Sequence, residues 1–418
     1  MRAAGRPLLL ALWVLLPGCA LQQWHSTGIG RYLDSHTLTE TLAELESRPP
    51  AARDRPMFLL NRGVLHHLLG NYQRSNADLE AAKVALEKVQ AISVTEGFTS
   101  STINETLNDY SATPSERVLL HEVMALNYLA ANDLAAARVE ALQADLRMRE
   151  LPDDEAQLAS ARFVAGLIFE LNHEWSDAMI SYRMAKEILE RRQLAIPATL
   201  QTRLIDTSQR LGLSDEYQRY LTQFGQSPPP LPADYGEVLV LYLNGKVDSM
   251  QQRMISLYVP SLQHNVTIAD PYYPPRAGPP PRVALALGSH PLRLELLEDV
   301  DGLAREALRA GQSKRIALTL ARVTSKHQLV KNSRQKDPLL GMLADLAAIL
   351  TEAADTRSWN LLPAAIQVGS IRLPPGSYSL SGGAFIDGAN PAPVVEVKAG
   401  ATRLLIANSY RGTPLAFY

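Results

Sequence analysis

The chain has 418 residues, 46% of them hydrophobic, with 41 basic against 43 acidic side chains and a single cysteine. That length predicts two or three domains, and the apolar content is ample for buried cores. A net charge of −2 leaves no concentrated cationic surface for nucleic acid, and one thiol excludes intrachain disulfides and thiolate metal sites.

At the amino terminus, Arg2 and Arg6 precede nine uninterrupted apolar residues, Leu8 to Leu16, and then Leu16, Pro17, Gly18 and Cys19. The run suits a signal peptide and is far too short for the roughly 20 residues that span a bilayer. The layout resembles a bacterial lipoprotein signal, with Pro17 a departure from the usual small or aliphatic residue. The resemblance implies removal of residues 1–18, acylation of Cys19, and a lipidated tether over residues 19–36. At about 0.8 kcal/mol per buried methylene, two or more acyl chains hold a protein at a membrane. Ala20 in place of Asp resembles the sorting pattern for the outer membrane of Gram-negative bacteria, facing the periplasm.

From residue 37 to 226 the chain is rich in Ala, Leu, Glu, Arg and Gln, with apolar residues recurring at spacings of three and four, so this half is expected to be helical. Three sets of residues share one register: Gly63, Gly70, Tyr72, Ser75, Leu79, Ala82; Ala125, Asn132, Leu134, Ala137, Ala141, Ala144; and Gly166, His173, Trp175, Ala178, Tyr182, Ala185. Two helices approach to about 8 Å only where small residues lie at the crossing, so the small positions must recur. The spacing resembles the tetratricopeptide repeat. Gly212, Tyr217 and Tyr220 fit a degenerate closing pair. A polar insertion over residues 89–114 is a candidate binding loop. In the resembled repeat the first helix of each pair faces the concave side. Mapping by register puts Leu60, Val64, His67, Glu122, Leu126, Phe163, Leu167 and Glu170 there as a candidate partner-binding face. This set is too apolar to stand in water, so it is expected to be covered either by the second half of the chain or its proline-rich segment, with the advantage of tethering, or by a partner peptide whose basic residues Glu122 and Glu170 would select.

Residues 227–235 read as a stiff proline-rich linker, and residues 236–418 as a mixed α/β domain. Strands are expected at Val238 to Leu243, with Asn244 and Gly245 favouring a hairpin into the next segment, and at Arg253 to Val259 and Arg282 to Leu287. Helices are expected near Val300 to Ala310, Ser313 to Lys331 and Pro338 to Ala354. Strands return at Ile366 to Leu373, Ser377 to Leu380, Val394 to Val397 and Arg403 to Ala407, resembling a small β-sandwich module. The proline-rich Pro271 to Pro281 reads as a loop spacer. The fold class is therefore α+β, an all-α tetratricopeptide-like domain with a mixed region after it that ends in a small β-sandwich-like module.

The blocks Glu116 to His121 with Ala125 to Leu129, Gly236 to Gly245, Glu298 to Leu308 and Thr356 to Pro363 together resemble a family of uncharacterised bacterial lipoproteins with helical repeats. That resemblance bears on fold and location and carries no activity. No nucleophile-elbow serine, no H-E-x-x-H and no phosphate-cradling glycine loop occurs. Ser333 with Lys336 fits S-x-x-K but lacks its companion motifs, and His66 and His67 are adjacent and diverge on a helix. Asp299, Asp301 and the Asp153 to Glu155 cluster suit helix starts better than acid–base pairs. The expectation is a non-catalytic, cofactor-free and metal-free adaptor, held to a membrane by its lipid and binding envelope proteins such as wall-synthesis or export machinery. A wall-directed enzyme with its site in the second half is the alternative.

Overall fold

The structure, a computed structural model, describes residues 24–95, 109–151, 154–225, 234–260, 263–334, 354–383, 393–410 and 416–418. Cys19, most of the linker, residues 96–108 of the polar insertion and nearly all of the helix expected at Pro338 to Ala354 lie outside the described residues.

The chain enters as a π-helical turn, Trp24–Gly28, and continues into α1 (Ile29–Leu33) and α2 (Leu38–Ser47). This corrects the expected 19–36 tether. Ile29 and Leu33 are buried in the main core, and Gly30 lies so close to Ser249 and Asn360 that a Cβ there would stand 3.2 Å from the Ser249 hydroxyl. Five residues are too few for a visible helical period, yet tertiary burial holds them. Thr37 and Glu40 then start α2 with reciprocal side-chain bonds.

Four helical hairpins come next: α3 (Arg55–Leu68) with α4 (Tyr72–Thr95), α5 (Pro114–Ala130) with α6 (Leu134–Glu150), α7 (Ala159–Leu171) with α8 (Trp175–Arg191), and α9 (Ala198–Arg210) with α10 (Ser214–Phe224). The expected register is the physical one. Gly70, Asn132, His173 and Gly212 all take positive φ between 62° and 76° and reverse the chain at the four turns. Glycine and asparagine accept that left-handed position most readily. Tyr72, Leu134 and Trp175 are the first residues of their second helices.

Across each of the first three crossings a small residue faces a residue 16 positions on. Gly63 meets Leu79, Ala125 and Ala141 are both small and buried, and Gly166 meets Tyr182. A Cβ on Gly166 would stand 2.4 Å from the Tyr182 ring. Gly166→Ala is therefore expected to destabilise the protein by about 1–3 kcal/mol, although alanine is the better helix former by about 1 kcal/mol. The shift in urea midpoint measures this, and an unchanged or raised midpoint contradicts the packing.

The second half contributes three sheets. The central one has the order β11 (Ala416–Phe417), β10 (Thr402–Asn408), β1 (Gly236–Asn244), β7 (Ala365–Leu373), β6 (Glu295–Glu298), with β1 parallel to β10 and antiparallel to β7. The expected hairpin after β1 does not form. Gly245 does turn, at φ 63°, but both neighbours of β1 come from more than 120 residues away. A four-stranded sheet, β5 (His290–Arg293), β4 (Ala284–Leu287), β8 (Gly376–Gly382), β9 (Val394–Val397), covers one face of the central sheet. Val238, Val240 and Tyr242 point into that sandwich, while Leu239, Leu241 and Leu243 point the other way into the core shared with the helices. Burial on both faces explains why β1 is one continuous apolar run and not an alternating one. The sandwich thus begins at residue 236 and is the body of the second half, not a terminal module.

The third sheet is a hairpin of β2 (Gln251–Val259) and β3 (His264–Tyr272), backed by α12 (Gln312–Arg334), which comes after α11 (Val300–Ala310). Ile255, Leu257 and Val266 pack against Ile316, Leu320 and Val323. Among the described residues no helix is long and apolar enough to cross a membrane.

Candidate functional site

The face expected to receive a partner is covered by the chain itself. Leu60, Val64, His67, Glu122, Leu126, Phe163 and Leu167 are all buried, none more than 6% exposed, and Glu170 is half-buried. The central sheet and the segment around Trp359 lie against them in one continuous core. A partner peptide has no access to this face, so its assignment as a binding groove is corrected. The physical reason is the one that made the face conspicuous: stacked apolar first helices need cover, and the tethered sheet supplies it. The substitutions Leu126→Glu and Phe163→Glu would place an unpaired charge in the core and unfold the protein, so they cannot report on a partner.

Polar side chains of the helices are used to hold the sheet. Arg203 on α9 bonds Glu170 at 2.9 Å and Glu237 at the start of β1 at 2.7 Å. Glu170 also accepts the Tyr182 hydroxyl at 2.6 Å, so it is not free to select a basic partner. Nor is Glu122, which accepts from the Ser160 hydroxyl at 2.8 Å, while the Ser160 N–H donates to Glu298 on β6. Burial raises the Glu122 pKa to about 8 against the Ser160 bond, with the Glu298 charge adding to the rise. Burial also raises Glu298, opposed by Arg192 at 2.7 Å. His67 is held by Asn127 at 2.7 Å, and burial lowers its pKa; it is a core group and not a ligand.

Near the start of α5 the two halves meet around a second polar centre. Glu116 completes a capping box with Thr113 and also accepts the Tyr110 hydroxyl at 2.8 Å and the Trp359 backbone N–H at 2.7 Å. Arg357 bonds Asp54 at 2.9 Å and Asp355 at 2.6 Å, and the Arg357 and Asp54 side chains are each 2% exposed. Burial works against the Arg357 charge, but the two carboxylates outweigh it and its pKa rises. Burial, then the neighbouring Glu116 charge, pushes the Tyr110 hydroxyl well up.

Between these groups lies a cavity of about 170 Å³. The helical half supplies Tyr110, Glu116 and Leu119, and the second half supplies Tyr273, α11 and the Arg357 to Trp359 segment. Three of the four sequence blocks singled out above therefore converge on one place, through Glu116 and Leu119, Val300 to Leu308, and Arg357 to Leu362. The described end of the polar insertion also reaches the wall, at Tyr110, Ser111 and Thr113. Tyr273, from the proline-rich stretch expected as a spacer, stacks under Arg305 at 5.4 Å.

The other candidates resolve into structural roles. Asp299 caps Gly302 at 2.9 Å, and Asp301 bonds Arg305 at 2.7 Å. Asp154 pairs with Arg191. Lys336 lies outside the described residues. Among the described residues, no three His, Cys, Asp or Glu side chains are grouped to hold a metal. Sequence reasoning misses Asp54, Arg357 and Trp359 as individuals. The block Thr356 to Pro363 stands out in the sequence, but nothing local marks a buried pair whose members are 303 positions apart.

No protein-family model and no curated protein matches the chain. Solved structures similar to part of it include apo RapI, at 11% identity over 45% of this chain and 48% of that one, with a TM-score of 0.35. Aspartyl phosphate phosphatase F from Bacillus subtilis is 12% identical over 53% and 55%, with a TM-score of 0.34. PlcR from Bacillus thuringiensis, in complex with the peptide PapR7 and DNA, is 13% identical over 47% and 64%, with a TM-score of 0.30. The chain spans about half the length of RapI.

Proposed function

We propose that this protein is a non-catalytic scaffold, lipid-anchored through Cys19 at the periplasmic face of a bacterial outer membrane, that binds envelope proteins through the outer face of its helical half. The observation that supports this reading is a line of exposed apolar side chains on the helical half. The inner face is committed to the chain's own sheet, yet Val139, Leu142 and Leu146 on α6 are 53%, 41% and 45% exposed. Their spacing of three and four sets them in one line along the helix, with Val84 on α4 and Ile180 on α8 exposed on two of the other second helices. An apolar line of this kind on a rigid stack suits an amphipathic segment of another protein. Wall-synthesis or export machinery are the proposed clients.

Crosslinking in cells with mass spectrometry of the products tests the reading. Leu142→Glu with Leu146→Glu is expected to change stability by only about 0.5 kcal/mol each and to abolish crosslinks from this face. Crosslinks that persist at unchanged yield in the folded double variant contradict the outer-face assignment. The anchor is tested separately: Cys19→Ser is expected to move the protein from the membrane to the soluble periplasmic fraction, and unchanged membrane fractionation contradicts it.

A further inference from the structure

The cavity between the two halves has the makings of a ligand site that the scaffold reading does not use. Its hydrogen-bonding inventory is lopsided. Glu116 already accepts from Tyr110, from the Thr113 N–H and from the Trp359 N–H, so the obvious acceptor in the wall is spent. Arg357 is committed to Asp54 and Asp355. Trp359, by contrast, is 1% exposed, and among the described residues its indole Nε1 has no hydrogen-bond partner. A buried donor left without an acceptor costs about 1–3 kcal/mol, and a binding site is one setting in which that is sustained.

The remainder of the wall is apolar or aromatic: Leu119, Val247, Met250, Tyr273, Ala304 and Leu362. Charge in the lining itself balances, Arg315 and Arg357 against Glu116 and Glu155; Asp54 and Asp355, which hold Arg357, are not part of the lining. The balance favours neither a cation nor an anion. In size, 170 Å³ is slightly above the roughly 150 Å³ of an engineered cavity that takes benzene. Pockets at the meeting of two structural units, mostly apolar with few polar groups, are where small molecules bind.

We propose that this cavity binds a small uncharged molecule, an apolar or aromatic body of about ten non-hydrogen atoms carrying a carbonyl or amide oxygen that accepts from Trp359 Nε1. Because both halves supply the wall, an occupant ties them together and stabilises the folded chain by mass action.

Acetanilide is the probe. In the ¹⁵N-labelled mature protein, the Trp359 indole N–H resonance is distinguished from those of Trp24 and Trp175 by Trp→Phe variants of the latter two. Acetanilide is expected to shift the Trp359 signal saturably at millimolar concentration, to leave the other two in place and to raise the thermal midpoint. Benzylammonium, which has a similar ring and no acceptor, is expected to do neither. Ala307→Leu fills the cavity from α11 and is expected to abolish the shift; should that variant not fold, Ala304→Val serves in its place. No saturable shift up to the solubility of acetanilide overturns the proposal, as does an equal response to benzylammonium or an undiminished shift in the folded cavity-filled variant.

Discussion

Arg357→Ala is expected to destabilise the protein by about 3–5 kcal/mol, the range for removing one member of a buried ion pair. Arg357 bridges Asp54 beside α3 and Asp355 on the approach to β7, with the Arg357 and Asp54 side chains each 2% exposed. Removing the guanidinium leaves the Asp54 carboxylate in the core without its closer cation, with Arg53 at 3.7 Å. The same substitution opens the wall of the cavity. Replacing both partners, as Asp54→Leu with Arg357→Met, is expected to recover much of the loss, because two apolar side chains of similar volume need no desolvation. Urea unfolding of Asp54→Leu, Arg357→Met and the double variant measures the coupling. Additive losses show that the pair does not act as a unit.

The second large effect is a dependence on pH centred on Glu122. Burial raises its folded pKa to about 8, so the folded chain holds this proton where the unfolded chain, near the ordinary value of 4.5, has released it. Stability from this group is therefore full below about pH 4.5 and is lost as pH rises toward about 8, at a slope approaching 1.4 kcal/mol per pH unit. Above about pH 8 the charge would stand near Glu298 at the seam between helices and sheet. Glu122→Gln keeps a neutral group that can still accept from Ser160 and removes the titration. Wild type is expected to lose several kcal/mol relative to this variant across that range. Parallel stability curves for the two proteins would show that Glu122 is ionised when folded.

The helical hairpins are legible in the sequence because their determinants are local. A small residue must face its partner 16 positions on, and a reversing residue must sit between them, so Gly63, Gly70 and Leu79 repeat as one pattern with Gly166, His173 and Tyr182. Most strands are legible for the same reason, each being a short apolar run between turns. Their partnership is not. The Asn244 and Gly245 turn reads as a hairpin, yet what pairs with β1 is decided by burial of both its faces, on the helices and on the second sheet. Nor is α1 legible, since Ile29 and Leu33 are held by contacts that only the folded chain provides.

The candidate site divides in the same way. That the inner helical face needs cover can be read from its composition, but whether a partner or the chain itself supplies it depends on tertiary geometry. On a face open to a partner peptide, Glu122 and Glu170 would select for basic residues. Ser160 and Arg203 instead make them fixtures of the seam. The cavity cannot be read at all, because Glu116 and Trp359 meet across 243 positions.

The inner face of the helical stack is closed by the chain itself while its outer face stays open, and thiol labelling of single-cysteine variants in a Cys19→Ser background distinguishes the two faces without assuming a partner. Leu126→Cys is compared with Val139→Cys. Residue 139 is expected to react at nearly the rate of a free thiol, with residue 126 protected until the protein is denatured. Labelling of residue 126 as fast as residue 139 under native conditions would contradict the closed inner face.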